Sequence, residues 1–159
     1  MTEINKHIKN AINTNRDEII SFVKELVRTP SLANDEGDVQ NIIHEKLKEL
    51  NLDSHKIPVI FSELNDHPAF NDDGFSPDSR INVTATWKGN GKSRSLILNG
   101  HVDVVPTGPE NLWNDSPWSG KEEDGKIFGR GSCDMKAGLS SGLFAISILK
   151  NLGFKPDGD

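Results

Sequence analysis

Three side chains of this sequence have the types and spacing to do chemistry together: His101, Asp103 and Asp134. A neutral imidazole is the commonest protein ligand for zinc. A ligating histidine usually gives its other ring N–H to a carboxylate, which fixes the tautomer and raises the basicity of the ligating nitrogen. In His101-Val102-Asp103 the spacing is two, so an extended chain sets both side chains on one face. Asp103 is then a candidate orienting partner of His101 rather than a ligand. Asp134 follows 33 residues after His101 (134 − 101), just beyond Gly129-Arg130-Gly131. Those glycines permit backbone angles that other residues resist. A carboxylate there can bind one metal, or bridge two that stand about 3.5–4 Å apart.

Plainer readings stand beside these. A lone His-x-Asp is a weak signal, and Asp134 alone is well explained as a helix N-cap, a position aspartate favours. Cys133 is either a thiolate ligand or nucleophile or, since no base is evident beside it, a small buried residue; the last reading is preferred. Lys136 stands at a helix start, where its charge opposes the dipole, and is read as solvated, with an anion-binding role left open. Trp113 and Trp118 either wall a cleft or pack down as plugs, and Arg130 is read as pairing a carboxylate. His7, His44, His55 and His67 lack a partner pattern and receive no role.

The elements that must position these residues read as follows. Ile4, Ile8 and Ile12 give a first helical signal. Ile19, Phe22, Val23, Leu26 and Val27 give the stripe of a helix with one buried face, capped at Asn15 or Asp17 and ended by Pro30. Val39, Ile42, Ile43, Leu47 and Leu50 mark another helix over about 35–50, with Asn51 as a left-handed stop. Ile57, Val59 and Phe61 alternate as a short strand, which Pro58 makes an edge. Residues 62–80 form a long polar loop. Ile81 to Trp87 is a strand, Gly89 to Lys92 a turn, and Ser95 to Leu98 the partner that pairs back as a hairpin. The run Leu96-Ile97-Leu98 reads as a central strand buried on both faces, and its end is where α/β sheets build sites. The last helix, about 137–152, is apolar on most sides and is expected to be buried all round. Gly153 stops it, and Ser140, Ser141 and Gly142 let its backbone pack closely.

Composition narrows the partners. The 159 residues suit about one domain. The net charge of −6 argues against nucleic acid or an anionic membrane, both of which reward clustered Lys and Arg. No apolar run approaches the roughly 18 residues of a membrane span. The opening M-T-E-I-N-K-H-I-K-N has no apolar centre of the secretory kind, and the single cysteine fits a reducing compartment. A cytoplasmic protein is expected.

The ordered combination adds more than any one residue. L-N-G-H-V-D-V-V-P, then W-N-D-S-P-W-S-G, then D-G-K-I-F-G-R-G-S-C-D-M-K-A-G resembles the two-zinc amidohydrolase and peptidase family. That family includes acetylornithine deacetylase, succinyl-diaminopimelate desuccinylase, aminoacylase and the carboxypeptidase G type. Pro68-Ala69-Phe70-Asn71 is similar, more softly, to the acetylornithine deacetylase-like members. Trp118 stands where phenylalanine is more usual. The resemblance implies an α/β fold: a central mixed sheet flanked by helices, as in a zinc-exopeptidase-like catalytic domain, of which residues 1–159 are the N-terminal part. It implies that His101 ligates one zinc, that Asp103 acts in catalysis by orienting His101, and that Asp134 bridges both zincs, with a cis peptide between Asp134 and Met135. It implies two Zn²⁺ per complete site, with Co²⁺ as a substitute. It also implies a small N-acyl amino acid or peptide as substrate, hydrolysed at its amide bond, and a homodimer for the complete enzyme.

In that family a Glu-Glu pair, a further carboxylate, a distal histidine and a second, smaller dimerisation domain complete the site. Residues 1–159 are therefore expected to supply part of it and to leave apolar helix surface and a sheet edge without cover. The alternative is a short, non-catalytic protein that binds a metal or a partner through the same surface. The isolated chain is expected to lack amidase activity. Turnover of an N-acyl amino acid that disappears in His101→Ala would overturn that expectation.

Overall fold

The computed structural model describes residues 3–71, 74 and 80–159. Three helices open the chain: α1 (Glu3–Thr14), α2 (Arg16–Arg28) and α3 (Gly37–Glu49). Strand β1 (Asp53–Pro58), the single turn α4 (Phe61–Leu64) and strand β2 (Ile81–Thr86) follow. Then come a 3-10 turn at Glu110–Leu112, the short strands β3 (Lys121–Glu123) and β4 (Lys126–Phe128), a turn over Ser132–Lys136 and helix α5 (Ala137–Asn151). No helix among the described residues is long and apolar enough to cross a membrane.

The helical stripes do what their spacing requires. Phe22, Val23, Leu26 and Val27 of α2 are buried, as are Val39 and Ile43 of α3. Phe22, Leu26, Val39 and Ile43 join Val102, Leu143 and Phe144 in one core, with Phe22 and Phe144 edge to face at 5.6 Å. Asn15 sits at the start of α2 but does not cap it; its side-chain amide donates to the Ala11 carbonyl at 2.7 Å and so belongs to the end of α1. Thr29, extended before Pro30, ends α2, and Asn51, at φ 52°, follows the end of α3.

The α/β class stands, and the strand pairing within it differs from expectation. Strand β2 pairs antiparallel with β1, from Asp53 opposite Thr86 to Pro58 opposite Ile81. Phe61 falls in α4 rather than in the strand before it. Residues 95–98 are not β2's partner. Leu96, Ile97 and Leu98 are exposed, Ile97 to 85%. An apolar run is buried only where something covers both of its faces, and here one side alone is met. A Cβ on Gly142 of α5 would stand 3.7 Å from Leu98 Cδ1, and one on Gly100 would stand 3.0 Å from Leu139 Cδ1. The last residues take the backbone instead: Asn90 N donates to Pro156 O, Lys92 N to Asp157 O and Leu96 N to Asp159 O, at 2.9–3.2 Å. Of the polar loop, residues 72–73 and 75–79 lie outside the described residues.

Helix α5 is not buried all round either. Ser140, Leu143, Phe144, Ser147 and Ile148 are buried, at the i, i+3, i+4, i+7, i+8 spacing of one face. Ser140 satisfies its hydroxyl by donating to the Lys136 carbonyl at 2.7 Å. Gly153, at φ 77°, ends the helix. The β3–β4 hairpin turns through Asp124 and Gly125, both at positive φ, the strongest short-range hairpin signal in a sequence. The helical core carries the stability. Phe144→Ala should cost roughly 3–5 kcal/mol by urea denaturation, whereas exposed Ile4→Ala should stay within about 0.5 kcal/mol.

Candidate functional site

Two segments meet at the site, and both are fastened to the corner where α2 ends. The first is His101–Val104. Ser31, fully buried, donates from Oγ to the Val102 carbonyl at 2.7 Å, and Val104 N donates to the Ser31 carbonyl at 2.8 Å. Leu32 and Val104 form a parallel bridge there. Val102 and Val104 point into the core, so the intervening Asp103 and the preceding His101 point out. The period of two expected from the sequence is thus present, although the segment is not part of a sheet ladder.

The second segment is the turn that carries Asp134. Gly129 and Gly131, at φ 150° and 79°, bring the chain close to its neighbours. A Cβ on Gly131 would collide with Val104 Cγ1, and one on Gly129 with Val27 Cγ1. Asp134 is not a helix N-cap: no side-chain cap bond forms, and its φ/ψ of −122°/100° is extended. The Asp134–Met135 peptide is cis, as the resemblance implies.

His101 lies between the two carboxylates. Its Nδ1 is 3.0 Å from the Asp103 carbonyl oxygen and 3.3 Å from Asp103 Oδ1. Its Nε2 is 3.0 Å from Asp134 Oδ1. All three predicted site residues therefore meet. With Nδ1–H donated to Asp103, the Nε2 lone pair faces a carboxylate oxygen. Two such donors repel unless a cation stands between or beside them. A proton serves in the metal-free chain, and a metal ion fits the same pair. Two ligands about 2.0 Å from a tetrahedral ion sit about 3.3 Å from one another, close to the separation found. The imidazole is 45% exposed and the Asp134 carboxylate 86%, so the pair is open on its outer side. The fit is partial: no group of three or more His, Cys, Asp or Glu that could hold a metal occurs among the described residues.

Several neighbours differ from the sequence reading. Lys136, expected to be solvated, is 0% exposed. Its ammonium donates to the carbonyls of Leu26 at 2.7 Å and Thr29 at 2.9 Å and lies 5.9 Å from the Trp118 ring. Burial pulls its pKa down to about 8. Cys133 is exposed, not buried. Arg130 packs its guanidinium over Trp113, 5.2 Å from the ring centre, rather than on a carboxylate. Trp113 is pinned by its indole N–H on the Thr107 carbonyl at 3.0 Å. His44 bonds Ser54 and His55 pairs with Asp53, away from this site.

Known proteins resemble this chain in sequence and in fold. The model of Peptidase family M20/M25/M40 matches residues 97–159. Succinyl-diaminopimelate desuccinylase of Variovorax paradoxus is 29% identical over 143 residues, covering 87% of this chain and 32% of that protein. The enzyme of the same name from Leptothrix cholodnii is 33% identical over 128 residues, covering 80% and 30%. Among solved structures, an M20 family metallo-carboxypeptidase from Sulfolobus solfataricus superposes with a TM-score of 0.69 at 25% identity, over 86% of this chain and 28% of that one. Human carnosine dipeptidase 1 gives 0.74 at 20% identity, over 94% and 32%, which speaks to the fold alone. The fold, mixed helix and strand, matches part of these M20 peptidase structures. Over residues 97–159 the chain is similar to the M20/M25/M40 peptidase family, and it spans about a third of the length of the curated relatives it matches.

The electrostatics of His101 are testable in the metal-free chain. Burial works against its charged form, but the Asp103 carbonyl and the Asp134 and Asp103 carboxylates outweigh it and raise the pKa above the usual histidine value. A raised folded-state pKa stabilises below the unfolded value near 6.5 and is lost as pH rises through the folded value. NMR titration should therefore place the His101 midpoint above about 6.5. Asp134→Asn should lower it, and the difference in melting temperature between the two proteins should be larger near pH 6 than near pH 9.

Proposed function

We propose that these residues supply part of a two-metal site which, in the complete enzyme, hydrolyses the amide bond of an N-acyl amino acid or small peptide. The observation that carries the reading is the 3.0 Å approach of His101 Nε2 to Asp134 Oδ1, with Nδ1 held by Asp103. The names of the relatives, desuccinylase and metallo-carboxypeptidase, support amide hydrolysis with a divalent metal, and an acyl group such as succinyl. Zinc is the ion that this His and carboxylate donor set suits, with cobalt as a substitute.

In this reading His101 and Asp134 would hold metal, with Asp134 as the carboxylate shared by two ions. Bound divalent ions would lower the pKa of water and polarise the substrate carbonyl. The chain's own residues do the rest. Asp103 keeps the proton on Nδ1, so that Nε2 offers its lone pair. The packing of Val102 and Val104 in the core fixes the direction in which His101 points. The exposed side of the pair leaves room for further ligands and for substrate. Residues 1–159 act as the N-terminal part of the catalytic domain, and the complete enzyme is read as a homodimer.

The test is made in the complete enzyme, with N-succinyl and N-acetyl amino acids as substrates. His101→Ala and Asp134→Ala should each lower kcat/KM by at least about 100-fold and reduce bound Zn²⁺. Asp103→Ala should weaken metal affinity about 10–100-fold. Full activity and metal content in His101→Ala would remove the basis of the reading.

A further inference from the structure

Lys136 is a buried ionisable group that the proposed chemistry does not use. Its surroundings give it a different task. The turn over Ser132–Lys136 is not helical at Asp134 or at Met135 (φ/ψ −134°/30°). Its backbone bonds are local, among them Lys136 N to Gly131 O at 3.0 Å and Ser132 N to Gly129 O at 3.3 Å. Local bonds shape the turn but do not place it against the rest of the fold. Lys136 ties it to α2. Leu26 O is among the last four carbonyls of that helix, and Thr29 follows its end. Those carbonyls have no onward helical partner and carry the negative end of the helix dipole. An ammonium has three donors and the right sign for them.

The other half of the site is fixed to the same corner, through Ser31 to Val102 and Val104. We propose that Lys136 is a positioning residue: its Nζ bonds to the Leu26 and Thr29 carbonyls set the turn so that Asp134 meets His101. The proposal rests on the His101–Asp134 reading above. It also replaces the anion-binding role considered from the sequence. An ammonium with no exposed surface and two carbonyl partners has no face to offer an anion.

The experiment uses the full 159-residue chain, isotopically labelled and metal-free. Lys136→Met keeps the stem and removes the donors. Two signals are read by NMR: the ring-nitrogen shifts of His101, and hydrogen exchange of the amides of residues 131–136 against those of α3. The expected result is that the His101 ring shifts move to those of Asp134→Asn. Exchange at the Lys136 amide should rise at least about tenfold while α3 keeps its protection. Lys136→Cys in a Cys133→Ser background, aminoethylated while unfolded and then refolded, restores an ammonium of nearly the same reach and should recover both signals.

Unchanged ring shifts and exchange in Lys136→Met would overturn the proposal. So would loss of protection throughout α3, which would make Lys136 a residue of the whole fold. Adding Zn²⁺ to the wild-type chain separates the two readings. A His101 ring response would support the metal reading, which the complete-enzyme variants decide, and the exchange data decide the positioning role in either case.

Discussion

The corner at the end of α2 is the constraint on which the site depends. Within residues 26–31, three backbone carbonyls and one hydroxyl engage two distant segments. The Ser31 carbonyl and hydroxyl hold Val104 and Val102. The Leu26 and Thr29 carbonyls hold Lys136. Pro30 creates this opportunity: it forces Thr29 out of the helical region and leaves the preceding carbonyls without a next turn to bond. A helix end is normally finished by water or a cap. Here it is finished by the chain that carries the candidate chemistry.

That arrangement has an energetic logic. Burying an ammonium costs far more than burying a hydroxyl unless it is paired and hydrogen-bonded, and the depressed pKa of Lys136 expresses that cost. Two carbonyl acceptors at a helix C-terminus and the Trp118 ring offset it. The glycines serve the same fit. Gly131 lies where any Cβ would strike Val104, and Gly129 where one would strike Val27. The turn is therefore pressed against both the α2 corner and the His101 segment. Small residues here are a steric requirement of the approach.

Parts of this were legible in the sequence for identifiable reasons. The stripes of α2 and α3 are local patterns that packing confirmed, and type, spacing and motif order made His101, Asp103 and Asp134 candidates that the structure brings together. Strand pairing was not legible in this way. Leu96-Ile97-Leu98 is apolar enough for a central strand, but burial depends on which elements lie on either side, and all three side chains stay exposed. The five buried positions of α5 follow a regular helical spacing that includes two serines, so counting apolar residues alone hid the stripe. The Asp124-Gly125 turn was readable by its residue types and went unremarked because the strands it joins are three residues each. The burial of Lys136 needed the third dimension, since its acceptors lie 107 and 110 residues earlier in the chain.

The exposures at the site follow from the same construction. Ser31, Val102, Val104 and Lys136 are all buried beneath it, whereas the Asp134 carboxylate above is 86% exposed. The fixed parts are backbone and stems; the open parts are the donor atoms. A pair of donors on a rigid base pays little ordering entropy when a cation arrives, and an open outer side admits ligands from other residues. On the proposed reading, a proton between His101 Nε2 and Asp134 Oδ1 would compete with a metal. The contacts that raise the histidine pKa would then also set how strongly acid opposes metal binding. Asp103 keeps the other ring nitrogen protonated in both cases, so its role does not change when one cation replaces the other.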